Sequence, residues 1–289
     1  MCKAGIWKSF KQLYKKISPR YFLESRYAER WHKKLDLRRP DNRFNFNEKI
    51  LWLILYYKNP LITACADKYR VRGYVESLGL GNILTKLYGV YKSANQIGWD
   101  ALPQKFAIKC NHGCGYNIIC AVKDVLDKEA AAAKLDEWLR EDFGKKFYEP
   151  QYSKIKPRIM CEEYIETDAG LLPVDYKIYC FNGIPRVVLY CFDRQSNLGL
   201  EWYDLEWNPL ELGLVPNGRH AAKPACLNKM AEYAERLSKP FPFVRVDFYV
   251  RDRQPVFGEM TFTPAYGMAE YYNPEGNVWL GSLLELPHR

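Results

Sequence analysis

Two segments near the C-terminal end, FVRVDFYV (243–250) and VFGEMT (256–261), carry the residues best suited to chemistry in this chain of 289 residues. Successive side chains of a strand alternate between faces, so Val244, Val246, Phe248 and Val250 turn one way and Arg245 and Asp247 the other. On the second segment Phe257, Glu259 and Thr261 share a face. A hairpin loop centred on Arg253 sets Asp247 opposite Glu259, with β-carbons about 5 Å apart. Carboxylates so placed repel each other unless a cation lies between them. Mg2+ is the natural occupant, because it favours one or two carboxylates together with substrate phosphates. The alternative is an exposed hairpin decorated with charge.

A second constellation is KFAIKCNHGCGYNII (105–119). A strand ending at Lys109 leads into Asn111, His112, Gly113, Cys114 and Gly115 and out into another strand, giving a hairpin tip whose backbone amides can fold over phosphate. The alternative is a tight turn needing positive φ at its two glycines. Cys110, His112 and Cys114 alternate as metal ligands do, but no second Cys or His cluster completes a tetrahedral zinc site. In the third, DYKIYCFNG (175–183), Asp175, Lys177 and Tyr179 share a face and the return strand ends at Asp193-Arg194. Two cations beside a metal–carboxylate pair suit a triphosphate. An ordinary solvated strand face is the other reading.

The elements that must position these residues follow from periodicity. Short β-rich runs are expected at 105–110, 117–120, 159–165, 175–181, 186–192, 243–250 and 256–260, with hairpin turns at Asn182-Gly183 and within 251–255. Residues 21–80 read mainly as helix, with Asn59-Pro60 as a turn and Asp67 as an N-cap for 68–78. Helices are also expected at 128–142, Ala-rich and followed by Gly144, and at 225–238 behind Pro224. Antiparallel strands with separate helices make the class α+β. The expected boundary near residue 100 separates a helical region (1–100) from a domain of two parts, 101–165 and 166–289.

Composition removes several classes. Hydrophobic residues make up 48% and charged residues 27%, so the chain is neither disordered nor fibrous. The longest apolar run covers the eight residues 50–57, far short of the roughly 20 that span a bilayer. The opening MCKAGIWKSF has no apolar stretch of signal length, and nine cysteines form no CxxC pair, so the expectation is a cytoplasmic protein with reduced thiols. Net charge is +9, and residues 1–40 hold 12 basic against 3 acidic residues, so the body is neutral. Ile6, Trp7, Phe10, Leu13, Tyr14 and Ile17 recur at helical spacing among lysines. Residues 1–18 could therefore rest on the anionic inner face of the cell membrane, or pack on the rest of the protein. No recognition-helix motif or aromatic platform accompanies the charge, and no nucleic-acid partner is expected.

In order, ADKYRVRGYV, FAIKCNHGCGYNII, CEEYI, DYKIYCFNG, RVDFYV and FGEMTFTPAYG resemble the ATP-grasp superfamily, and within it the TupA-like branch associated with teichuronopeptide and other surface polysaccharides. The resemblance implies an α+β ATP-grasp fold of two subdomains clasping ATP. It places Lys109 on the α and β phosphates with the loop of His112, Gly113, Cys114 and Gly115 closing over them. It makes CEEYI the hinge, with Glu162 and Glu163 near the adenine amino group, the backbone of Tyr164 and Ile165 at the ring edge, and Asp175 near the ribose. Lys177 and Arg194 resemble the basic pair of glutathione synthetases and ribosomal-protein glutamate ligases. RVDFYV resembles the strand of D-alanine ligases in which the arginine, here Arg245, polarises the acyl phosphate and the aspartate, here Asp247, holds magnesium; Glu259 is the second metal carboxylate. One position departs: Thr261 stands where most ATP-grasp ligases have asparagine, although the TupA-like branch shows this threonine.

The function so implied is an ATP-dependent carboxylate–amine ligase acting through an acyl phosphate, joining an amino acid to a uronic acid of a capsule or envelope polysaccharide. A glycosyltransferase is the alternative, but Asp193 and Asp204 lie outside the context its metal motif requires. A membrane-recruited scaffold that binds nucleotide without turnover is the third.

Overall fold

The computed structural model describes residues 18–38, 40, 44–166, 173–193, 198–215, 218 and 221–288. The chain divides into two compact units, one of residues 1–58 with 263–289 and one of residues 59–262.

In the first unit, α1 (Pro19–Trp31) begins with proline behind Ser18, whose side chain accepts from the Tyr21 N–H. Helix α2 (Phe46–Tyr56) opens with a capping box: Asn45 Oδ1 accepts from the Glu48 N–H at 3.0 Å, and Glu48 accepts from the Asn45 N–H at 2.9 Å. Glu48 is buried because Tyr27 Oη (2.6 Å) and Lys33 Nζ (2.8 Å) also donate to it. The apolar run expected from sequence is this helix, buried along Ile50–Ile54. It packs against the last helix of the chain, α8 (Pro274–Ser282).

The second unit contains two antiparallel sheets. The first has strand order β1-β4-β2-β3, formed by β1 (Leu87–Tyr91), β2 (Phe106–Cys110), β3 (Asn117–Cys120) and β4 (Ile159–Glu163). The second has order β7-β6-β5-β8-β9, formed by β5 (Asp175–Phe181), β6 (Ile184–Phe192), β7 (Gly199–Tyr203), β8 (Phe243–Arg251) and β9 (Gln254–Thr261). Both expected hairpins form on two-residue turns with positive φ, Asn182 and Gly183 (50° and 79°) and Asp252 and Arg253 (51° and 60°). Helix α7 (Leu227–Ser238) lays Leu227, Met230, Ala234 and Leu237 on β5, β6 and β8, burying one sheet face.

Among the described residues the unit has four further α-helices: α3 (Pro60–Ala66), α4 (Val71–Ser77), α5 (Lys128–Arg140) and α6 (Phe143–Phe147). Asp67 caps the turn into α4 by accepting from the N–H groups of Tyr69 and Arg70. Two strands escaped the sequence reading. β1 (LYGVY) is short, half-buried and interrupted by glycine, and β7 (GLEWY) lies between long loops. The boundary expected at residue 100 runs between β1 and β2, which belong to one sheet.

Candidate active site

β8 and β9 place Asp247 directly opposite Glu259, but not by the loop geometry assumed from sequence. The turn is centred between Asp252 and Arg253, and the outer pairs, Arg251 with Gln254 through Phe248 with Phe257, follow that centre. Gly258 is then the extra residue of a bulge, which restores Glu259 to Asp247. Only glycine suits this position, because a Cβ there would lie 2.9 Å from the Asp247 carbonyl oxygen.

The expected repulsion between the two carboxylates is absent because cations surround them. Arg245 grips Asp247 with two bonds of 2.7 Å, donates to Thr261 Oγ1 at 3.0 Å, and lies 3.5 Å from Glu259. Lys177, opposite Asp247 on β5, donates to it at 2.5 Å and to Asp175 at 3.4 Å. Lys68 completes the set 3.2 Å from Glu259. Burial raises the Glu259 carboxyl, but Lys68 and then Arg245 overcome this and hold it well below the usual carboxylate range. Burial, the largest single influence, lowers Lys177, but the charges of Asp247 and Asp175 together more than offset it and the ammonium ends above its ordinary value. Three cations thus balance three carboxylates, as buried charge requires.

Lys68 was not singled out from sequence, although it stands in the quoted segment ADKYRVRGYV; its signal was an Asp-Lys pair at a helix entry. Besides Glu259, its ammonium donates to the Gly113 carbonyl at 2.6 Å. Its own N–H donates to the Asn111 carbonyl, and Asn111 Nδ2 donates to Asp67 at 2.9 Å. The glycine loop is therefore tied to the entry of α4 by three bonds.

Within that loop Gly115 has positive φ (76°), whereas Gly113 is glycine for space: a Cβ would come within 2.7 Å of Tyr116 and 2.9 Å of Phe143. The His112 ring is buried beneath the loop, its Nε2 3.0 Å from the Trp138 carbonyl, and burial pushes its imidazole below the usual value. Cys114 is exposed while Cys110 is buried. Among the described residues no group of three or more His, Cys, Asp or Glu could hold a metal ion.

A cleft beside the loop brings together Lys109, Glu162, Glu163, Tyr164 and Ile165, with Ala107, Ile119 and Tyr249 also on its wall. Lys109 forms an ion pair with Glu162, which also accepts from Thr85 Oγ1 at 3.0 Å. Glu163 is engaged by Arg251 at 2.9 Å and by the Lys86 N–H at 3.3 Å. Arg194 lies outside the described residues.

Residues 48–285 match the family model described as TupA-like ATPgrasp, and the chain belongs to this family. Among solved structures it is similar to the D-alanine–D-alanine ligase of Bacillus anthracis (15% identity, 76% of this chain and 65% of that one, TM-score 0.46). It is also similar to the phosphoribosylamine–glycine ligase of Thermotoga maritima (11%, 69% and 48%, 0.43) and to the ATP-grasp ligase PsnB complexed with minimal precursor, Mg and ADP (11%, 74% and 57%, 0.38). The chain spans less than two thirds of the length of each. No curated protein matches it.

Proposed function

We propose that this protein is an ATP-dependent, ADP-forming ligase that joins a carboxylate to an amine, with an amino acid as the amine and a uronic acid of a surface polysaccharide as the carboxylate. The observation that carries the reading is the pairing of Asp247 with Glu259 on a sheet face shared with Arg245 and Lys177. The polysaccharide acceptor rests on the family's TupA-like character.

Two hard carboxylate oxygen donors on adjacent strands fit Mg2+, which would replace some of the cationic side chains that now hold them. Asp247 and Glu259 would hold the ion, which when bound would neutralise charge on the phosphate oxygens. The chain's own residues supply the rest. Lys109 leaves Glu162 to meet phosphate oxygens, and the glycine loop offers backbone N–H groups above them. Arg245 and Lys177 stand where charge develops on the transferred phosphoryl group, and catalysis is chiefly positioning and charge stabilisation. Adenine fits the cleft wall of Ala107, Ile119, Tyr164 and Ile165, and the Asp175 carboxylate serves the ribose.

ADP release, screened with amino acids against free, nucleotide-linked and lipid-linked uronic acids, tests the reading. Release that requires both an amine and a carboxylate supports it. Release of a nucleoside diphosphate from a sugar nucleotide instead would establish the glycosyltransferase.

A further inference from the structure

Tyr249 holds a place on β8 that two polar contacts bracket. Arg245, Asp247, Tyr249 and Arg251 share one face of this strand, because successive side chains alternate. The opposite row, with Val246 and Phe248, is buried in the core. At one end of the first row Asp247 lies opposite Glu259 and is gripped by Arg245 at 2.7 Å. At the other end Arg251 crosses to the first sheet and engages Glu163 of β4 at 2.9 Å. Tyr249 stands between the two, roughly 7 Å along the strand from either. Its ring therefore faces the cleft that both neighbours border. Ala107, Lys109 and Ile119 line that cleft from the first sheet, and Tyr249 is the lining residue that the second sheet contributes.

The ring also has a seat. A Cβ at Gly258 would lie 3.2 Å from Tyr249 Cε2, so the ring rests beside the glycine of the bulge. Gly258 thus serves twice, sparing the Asp247 carbonyl and leaving room for Tyr249. The first sheet presents a matching surface. Ala107 and Ile119 are register partners on β2 and β3, and Lys109, on the same face as Ala107, is ion-paired with Glu162. An apolar pair therefore meets an aromatic ring, and charge stands beside them on both walls: Lys109 on one, Asp247 with its cations on the other. A flat apolar group joined to an anionic chain fits that division.

We propose that Tyr249 stacks on the base of the bound nucleotide from the side opposite Ala107 and Ile119, and that this stack favours a purine over a pyrimidine. The proposal rests on the nucleotide reading given above. It divides one strand face between the two ends of the ligand, with Asp247 at the phosphates and Tyr249 at the base. A ring suits this place because every base offers a π-face to an aromatic side chain, and the larger purine offers more of it.

Tyr249→Leu removes the ring and keeps apolar bulk, whereas Tyr249→Phe keeps the ring. Calorimetric titration of the parent and both variants with Mg2+-ATP, Mg2+-CTP and Mg2+-tripolyphosphate provides the test. Tyr249→Leu should lose roughly tenfold in affinity for ATP, the size of one base stacked on an aromatic side chain. It should lose less for CTP and nothing for tripolyphosphate, and Tyr249→Phe should match the parent with all three. An equal loss for ATP and tripolyphosphate makes Tyr249 a support of the strand alone. Unchanged ATP affinity removes the contact, and equal losses for ATP and CTP remove the purine preference; each of these results overturns the proposal. Failure of the parent protein to bind ATP overturns the nucleotide reading itself. Should Tyr249→Leu fold poorly, 3-fluorotyrosine placed at position 249 gives a second measurement. Its fluorine resonance should move further with Mg2+-ATP than with Mg2+-tripolyphosphate, and identical positions with both overturn the proposal.

Discussion

At the scale of residues, the site is set by who stands beside each carboxylate. Asp247 is almost fully buried and neutralises Arg245 and Lys177 together, whereas Glu259 is 28% exposed at its side chain and shares Lys68 with the Gly113 carbonyl. The two acids therefore answer differently to neutralisation. Asp247→Asn leaves two buried cations short of their counter-charge and should lower the stability of the metal-free protein by about 3–5 kcal/mol, the cost of breaking a buried ion pair. Glu259→Gln should cost much less, since Lys68 keeps its carbonyl. On the proposed reading both should abolish most turnover and most of the stabilisation given by Mg2+-ATP. Thermal melts with and without Mg2+-ATP check this, and a ligand-induced shift in Asp247→Asn as large as in the parent contradicts the metal assignment. Sequence alone pointed the other way for the metal-free state, because the strand pattern shows two acids side by side but not Lys177 arriving from β5 or Lys68 from a helix entry.

At the scale of elements, the hairpins and the α7 face were legible because they depend on local rules: Asn-Gly at a turn, alternation along a strand, and apolar residues three and four apart on a helix. The expected strands 117–120 and 175–181 match β3 and β5 end to end. What was not legible depended on distant partners. Asp247 meets Glu259 only because the bulge at Gly258 offsets a turn displaced from its expected centre. Lys68 reaches the site through the fold of a helix entry onto a loop 45 residues away. The glycine loop also carries a pH response. The His112 imidazole has its pKa lowered by burial, so the unfolded chain binds the proton more readily than the folded one. Stability is complete above the unfolded value of about 6.5 and is lost as pH falls through it. Urea unfolding should therefore show a weaker protein at pH 5.5 than at pH 7.5, with the difference reduced in His112→Gln. An equal pH response in both would place it elsewhere.

At the scale of the molecule, charge and structure are distributed unevenly. The basic excess lies in residues 1–40, while the sheets and the candidate site fall between residues 59 and 262. Among the described residues no helix is long and apolar enough to cross a membrane, and residues 1–17 lie outside them. We expect residues 1–18 to bring the protein to anionic membrane, because each basic residue near such a surface contributes about 1 kcal/mol. Co-sedimentation with vesicles containing phosphatidylserine, at physiological salt, should fall sharply when residues 1–18 are removed. Equal sedimentation of both proteins would favour a helix packed on the body. The candidate site should be unaffected by the truncation, since none of its residues lies in that segment.

Lys68 also joins the glycine loop to the carboxylate pair. One ammonium holds the Gly113 carbonyl and Glu259 at once, so an anion that claims Lys68 loosens the loop from its resting place in the same event. On the proposed reading, entry of a nucleotide would be a change of tenancy rather than the filling of an empty room. The outgoing bonds must be surrendered before the incoming ones count, and the affinity measured for any phosphate will be smaller than its list of contacts implies.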